Sequence, residues 1–255
     1  MKFIFLTLSL LHFTLQYAQV DNSERNYSKI NWFTSNYKGT KKPLWKQSII
    51  PLTFGITAIS INYLPLKQDI QNSIRAPFNN YTTSIDDYLQ YAPIGLMYTA
   101  DIFKLKAKHS VWNQTKFLFL SELTTSGIIQ ILKYSLKIER PDQSSNNSFP
   151  SGHTGQAFVA AQVLRNEFKD THPLIAYSGY LFAASTGTLR IVNNRHWLPD
   201  VLMGAGIGML MTNLIYHYEP FKNWNPFKTK QTDLSLQIYP TFNDQYTGIN
   251  IKLHL

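Results

Sequence analysis

From Ile49 to Tyr218 apolar residues come in long runs at helical spacing, with no β-type alternation among them. Prolines and clusters of Asn, Asp and Ser punctuate the runs. The pattern predicts helices near 48–63, 85–104, 113–139, 152–168, 173–191 and 199–217. Six helices on short joints predict an all-α fold, an antiparallel helical bundle over residues 47–218. No repeat of 20–50 residues is visible, which argues against a solenoid. The tail follows another rule. Residues 219–233 hold two prolines and three lysines and read as a linker. Leu234, Leu236 and Ile238 then alternate with polar residues, as do Ile249, Ile251, Leu253 and Leu255. This predicts a small C-terminal β-hairpin over 234–255 with one apolar face. A lone hairpin is marginal, so that face is expected to rest on the bundle, on lipid or on a partner.

The N-terminus departs from the helical pattern as well. Met1 to Ala18 reads as a secretory signal, with Lys2, an apolar run from Phe3 to Leu15, and small Ala18 at a cleavage point. An uncleaved anchor is the other reading. Either way the expected address is the cell envelope: the periplasm, or a membrane with the site on its periplasmic side. Residues 19–46 form a polar, basic arm carrying Trp32, Phe33 and Trp45. It either lies on a membrane surface or packs its aromatics on the domain.

Composition narrows the partners. The formal charge is +9 and the pI near 9.5, which favours anionic partners. Nucleic acid is a poor match for an exported chain; phosphorylated small molecules and anionic lipid head groups fit better. With no cysteine there is no disulfide, no thiolate metal site and no lipid attached through cysteine. Gln47 to Leu66, Pro173 to Leu189 and Val201 to Tyr218 lack charges and approach bilayer length. Mean hydropathy is only −0.19, so membrane helices and buried helices of a soluble bundle both remain open.

Three stretches carry chemistry. Lys133 and Arg140 lie seven residues apart, which on a continuous helix puts both on one face, with Pro141 as the stop. Pro150-Ser151-Gly152-His153 precedes an Ala-rich helix. Ser151 suits the N-cap, and the Gly152 and His153 amides then stand at the positive helix end, a ready anion site. His153 adds a proton donor there. Arg190, His196 and Asp200 complete the set. Asp200, four residues after His196 and just past Pro199, can accept from Nδ1–H and leave Nε2 neutral and nucleophilic. Arg190 offers a planar fork for two phosphate oxygens. Each stretch alone has an ordinary reading: solvated charge, a capped helix, a chance His–Asp pair. Together they supply what a site needs to hold a phosphate group and attack it without a metal. Gly204, Gly206 and Gly208 follow no strand, so they read as helix packing rather than a nucleotide loop. His12, His109, His172, His217 and His254 stand outside any recognisable constellation.

In order and spacing, Lys-x6-Arg-Pro, Pro-Ser-Gly-His and Arg-x5-His-x3-Asp resemble the three signatures of the type 2 phosphatidic acid phosphatase (PAP2) and vanadium haloperoxidase superfamily. The resemblance covers about residues 90–218. One position departs from it: Leu189 stands where the family usually has serine, which removes a secondary hydrogen bond and spares every charged position. The resemblance implies a helical bundle with the site at one end and no metal or other cofactor. His196 would attack phosphorus, Asp200 would orient it, and His153 would protonate the leaving oxygen and then activate water. Lys133, Arg140, Ser151, Gly152 and Arg190 would hold the phosphate oxygens. The substrate would be a lipid phosphate or diphosphate such as phosphatidate, prenyl diphosphate or a lipid A phosphate. A soluble acid phosphatase of broad range, a vanadate-dependent haloperoxidase and a non-catalytic envelope protein are the rival readings.

Overall fold

The computed structural model describes residues 43–64, 66–78 and 81–224, and the backbone of strands 235–242 and 247–254. The expected signal, most of the arm, and the linker beyond residue 224 lie outside the described residues. The helices are α1 Leu44–Tyr63, α2 Leu66–Arg75, α3 Ile85–Leu89, α4 Ala92–Ile102 and α5 Val111–Leu136. Then follow α6 Gly152–Phe168, α7 Pro173–Val192 and α8 Leu198–Tyr218. A 3-10 turn, Ala76–Phe78, extends α2. Strands β1 Ser235–Phe242 and β2 Thr247–His254 pair antiparallel, with Leu236 opposite Leu253 and Ile238 opposite Ile251.

The bundle agrees with the all-α expectation, with two differences in its helices. The run expected at 85–104 is two helices, the second starting at Ala92 with Pro93 in its first turn, where the missing N–H breaks no intrahelical bond. The Gln90 side chain bridges the joint by donating to the Asp87 carbonyl at 2.7 Å. Helix α2 was not expected. Only Ile70 and Gln71 of it are buried, too short an apolar stripe to register as a period. Gln71 donates to the Ile191 carbonyl at 3.1 Å and to Asn194 at 2.9 Å, tying α2 to the end of α7.

Helix α6 is the core, packed on α5, α7 and α8. Its Val159, Val163, Leu164 and Phe168 bury against Met97, Phe117, Ala176 and Tyr216. Full burial of such side chains stabilises by about 1.5–3 kcal/mol each. Helix α8 approaches by glycine. A Cβ on Gly204 would lie 2.4 Å from the Ser151 carbonyl oxygen, and one on Gly208 2.5 Å from that of Gly155. Gly206 faces the other way, where a Cβ would stand 2.8 Å from the Pro51 carbonyl oxygen of α1. The three glycines therefore pack helices, as their setting in an apolar run indicated.

The end of the bundle away from the capped start of α6 holds a buried polar cluster that the sequence did not reveal. His109 Nδ1 lies 2.9 Å from Glu167 Oε1, and Tyr216 donates to the same oxygen at 2.6 Å. Residues 219–224 are fastened there too. The buried Lys116 ammonium donates to the carbonyls of Phe221 at 2.6 Å and Trp224 at 2.7 Å.

Candidate active site

Four helix ends meet at the site. Helices α6 and α8 begin there and present first-turn amides, while α5 and α7 finish there and carry Lys133 and Arg190 in their last turns. Cations at helix C-termini and anions at N-termini are both favoured by the helix dipole.

Ser151 is the N-cap of α6 and fully buried. Its Oγ accepts from the Thr154 amide at 3.5 Å and lies 2.9 Å from the Thr154 hydroxyl. Its own N–H donates to the Asp200 carbonyl at 2.9 Å, locking the starts of α6 and α8 together. The Gly152 and His153 N–H groups fall in the first helical turn, where no intrahelical acceptor exists.

Lys133 Nζ donates to the carbonyls of Asn147 and, at 3.4 Å, Ser148. Arg140 is not on the same helix face as Lys133, contrary to the expectation from spacing. Helix α5 ends at Leu136 because Lys137 takes a left-handed backbone (φ 46°) and its N–H returns to the Lys133 carbonyl. Pro141 lies beyond that stop. The loop brings Arg140 back instead: its N–H donates to the Ser145 carbonyl at 3.0 Å, and the Ser148 N–H to that of Ile138 at 2.9 Å. Arg190 is 7% exposed, and its Nη1 donates to Asp86 at 2.6 Å and Asp87 at 3.3 Å. The Nε of Arg140 and the Nε of Arg190 are buried without an acceptor.

The cations feel one another. Burial pushes Lys133 down to about 8, and Arg140 and Arg190 add to the fall while Asp200 opposes it. Arg140 is lowered by burial and by Arg190. Such crowding at the positive ends of two helices makes a field that an oxyanion would relieve.

His196 sits in the loop between α7 and α8 at 2% exposure, its Nδ1 3.5 Å from Asp200 Oδ2. Burial pushes its imidazole down to about 4 against the opposing pull of Asp200, so the ring is neutral at neutral pH. Asp200 is fully buried. Its Oδ2 accepts from the Trp197 N–H at 2.9 Å and from the Ser148 hydroxyl, which fixes the carboxylate beside the ring. His153 is lowered by burial first and by Arg190 next, with Asp87 and Asp86 pulling the other way. Lys133, Gly152 and His153 line a cavity of about 210 Å³ with Gln90, Gln130 and Gln156.

Asp86, Asp87, Asn193 and Ser148 belong to the same constellation and were not foreseen. Asn193 Nδ2 donates to Asp86 Oδ1 at 2.9 Å and to the Thr83 carbonyl at 2.8 Å, holding α3 against the end of α7. The one sequence signal was an acidic pair beside an apolar helix, which any helix start provides. Among the described residues, no group of three His, Asp or Glu is placed to hold a metal ion.

Residues 114–224 match the model of the PAP2 superfamily. Over 140 residues the chain is 37% identical to a lipid A 1-phosphatase of Porphyromonas gingivalis, a match covering 54% of this chain and 31% of that protein. The chain thus spans about a third of the curated relative it matches. Among solved structures, Aquifex aeolicus LpxE is similar at 24% identity and a TM-score of 0.48, over 62% of this chain and 99% of that one. A transmembrane PAP2-type phosphatidylglycerolphosphate phosphatase of Bacillus subtilis is similar at 23% identity and a TM-score of 0.44. It covers 72% of this chain and 100% of its own.

Proposed function

Since residues 114–224 belong to the PAP2 superfamily, we propose that this protein is a membrane-associated, metal-independent phosphatase that removes phosphate from a lipid. The observation that carries the reading is the pair of buried guanidinium Nε–H groups, Arg140 and Arg190, left without acceptors beside a capped helix start and a neutral His196. A buried donor without a partner is costly, and a bound phosphate oxygen removes that cost.

The placement supports the following chemistry. Nε2 of His196 attacks phosphorus while Asp200 holds Nδ1–H and stabilises the imidazolium that forms. The P–O bond to the leaving group breaks, and His153 gives that oxygen a proton. His153 then takes a proton from water; the hydroxide attacks phosphorus, the P–N bond breaks and its electron pair returns to His196. General acid–base help of this kind contributes about 10²–10⁴ in rate. Lys133, Arg140, Arg190 and the Ser151–Gly152 turn hold the charge on the equatorial oxygens, where preorganised donors stabilise the transition state most.

For the substrate we favour a lipid A-type phosphate. The relative's activity supports this choice, as does the cavity beside His153, where Gln90, Gln130 and Gln156 stand among Tyr91 and Ile129. The amides suit a polar head group next to the scissile phosphate. Membrane association is supported by α1. Trp45, Ile49, Leu52, Ile56, Ile59 and Tyr63 form one stripe, each 43–87% exposed. The stripe is about 27 Å long at helical rise. Helix α8 is long and apolar enough to cross a membrane by length and composition, though 56% of that stretch is buried inside the bundle. Export, with the site facing the periplasm, rests on the signal-like Met1 to Ala18.

The test is phosphate release from lipid A, phosphatidate, prenyl diphosphate and soluble esters, with chelator present throughout. The expected result is chelator-resistant hydrolysis of a lipid phosphate, lowered at least about a thousandfold in His196→Ala. Full activity in that variant overturns the mechanism. Preference for soluble esters, with release from membranes by salt alone, moves the reading to a soluble acid phosphatase.

A further inference from the structure

His153, assigned above to the leaving oxygen, and Arg190, assigned to the equatorial oxygens, both reach one atom, Oδ1 of Asp87: Nε2 of His153 lies at 3.0 Å and Nη1 of Arg190 at 3.3 Å. Asp87 is unlike its neighbour. Asp86 is 1% exposed, bonded to Arg190 at 2.6 Å and to Asn193, and is part of the scaffold. The Asp87 side chain is 51% exposed and stands at the rim on the short helix α3, its carboxylate turned into the site toward His153 and Arg190. A carboxylate oxygen shared by a guanidinium and an imidazole has the geometry of a phosphate oxygen shared by the same two groups.

We propose that Asp87 is an affinity-setting residue: an internal anion that occupies a phosphate-oxygen position between His153 and Arg190 and must swing out before phosphate enters. The inference rests on the phosphatase reading for the identity of the incoming anion. Its consequence is a deliberately weakened site. A second anion cannot share Oδ1's place, so each binding event gives up two charge-assisted contacts and leaves the displaced carboxylate nearby. The product, inorganic phosphate, meets the same opposition and leaves sooner. Asp86 keeps Arg190 placed throughout, so the cradle does not collapse when Asp87 departs.

The experiment is calorimetric titration of inorganic phosphate into the purified full-length protein, wild type against Asp87→Asn and Asp87→Ser. Removing one nearby unit charge is expected to tighten phosphate binding about five- to fiftyfold. KM and the inhibition constant of phosphate are expected to fall together, with a smaller change in kcat. Orthovanadate-bound wild type gives a second readout, in which a determined structure should place the Asp87 carboxylate beyond hydrogen-bond distance of His153 Nε2. Phosphate binding that is unchanged or weaker in both variants, or an Asp87–His153 contact that persists with vanadate, overturns the proposal while the phosphatase reading stands. Wild type and variants that all fail to bind phosphate overturn both.

Discussion

The proposed mechanism requires His196 and His153 to carry opposite protonation states, and their surroundings set the window in which they do. In that mechanism His196 attacks only when neutral. Burial holds it near 4, so its limb of the profile falls as pH drops through about 4. His153 acts as an acid only when protonated, and burial and Arg190 hold it below its ordinary 6.5, so its limb falls as pH rises through that range. The expected kcat/KM profile is a bell with an acidic optimum, between about 4 and 6.5. A profile still rising above pH 8 contradicts the assignment of the two rings. The residues that made this site legible are local: Ser151 caps the helix it precedes, and Asp200 is four residues from His196. Asp86 was illegible because its meaning lies 104 positions away, in Arg190. Both members of that pair are buried, and removing one leaves the other uncompensated. Asp86→Ala is therefore expected to cost about 3–5 kcal/mol, read as a lower denaturation midpoint, together with loss of phosphate binding.

Helices were readable from their interiors and much less so from their ends. The apolar period located α5, but nothing in the sequence announced that Lys137 rather than Pro141 would stop it, because a left-handed lysine is fixed by the loop that follows. The consequence is chemical, since Arg140 reaches the site from a loop. Loop insertions between Ser144 and Asn147 are thus expected to weaken phosphate binding with little change in the thermal midpoint. The glycines of α8 are the opposite case, legible in kind though not in partner. Gly204→Ala would drive a methyl into the Ser151 carbonyl, which is backbone and cannot rotate away. Overpacking there is expected to cost about 1–3 kcal/mol. For a domain of this size that lowers the melting temperature by about 2–12 °C. Activity should fall with it, because the carbonyl belongs to the turn proposed to hold phosphate.

At the scale of the molecule, the sequence offered three uncharged stretches and no way to choose between lipid and core. Packing resolves part of that. Helix α8 is wedged among α1, α5 and α6, whereas α1 turns a full-length apolar stripe outward. Ile56, 65% exposed at the centre of that stripe, is the position to test. Ile56→Lys is expected to lower vesicle co-sedimentation at least about tenfold while leaving hydrolysis of a soluble ester intact. An unchanged pellet would remove α1 from the membrane reading. One backbone contact then acquires a wider meaning. The Ser151 amide is bonded to the Asp200 carbonyl, so the turn proposed to grip the anion and the residue proposed to aim the nucleophile are two parts of one rigid block. Gripping and aiming cannot drift apart: deuterium uptake at Ser151 should slow when phosphate is added, and gentle heating should extinguish ligand capture and turnover at the same temperature.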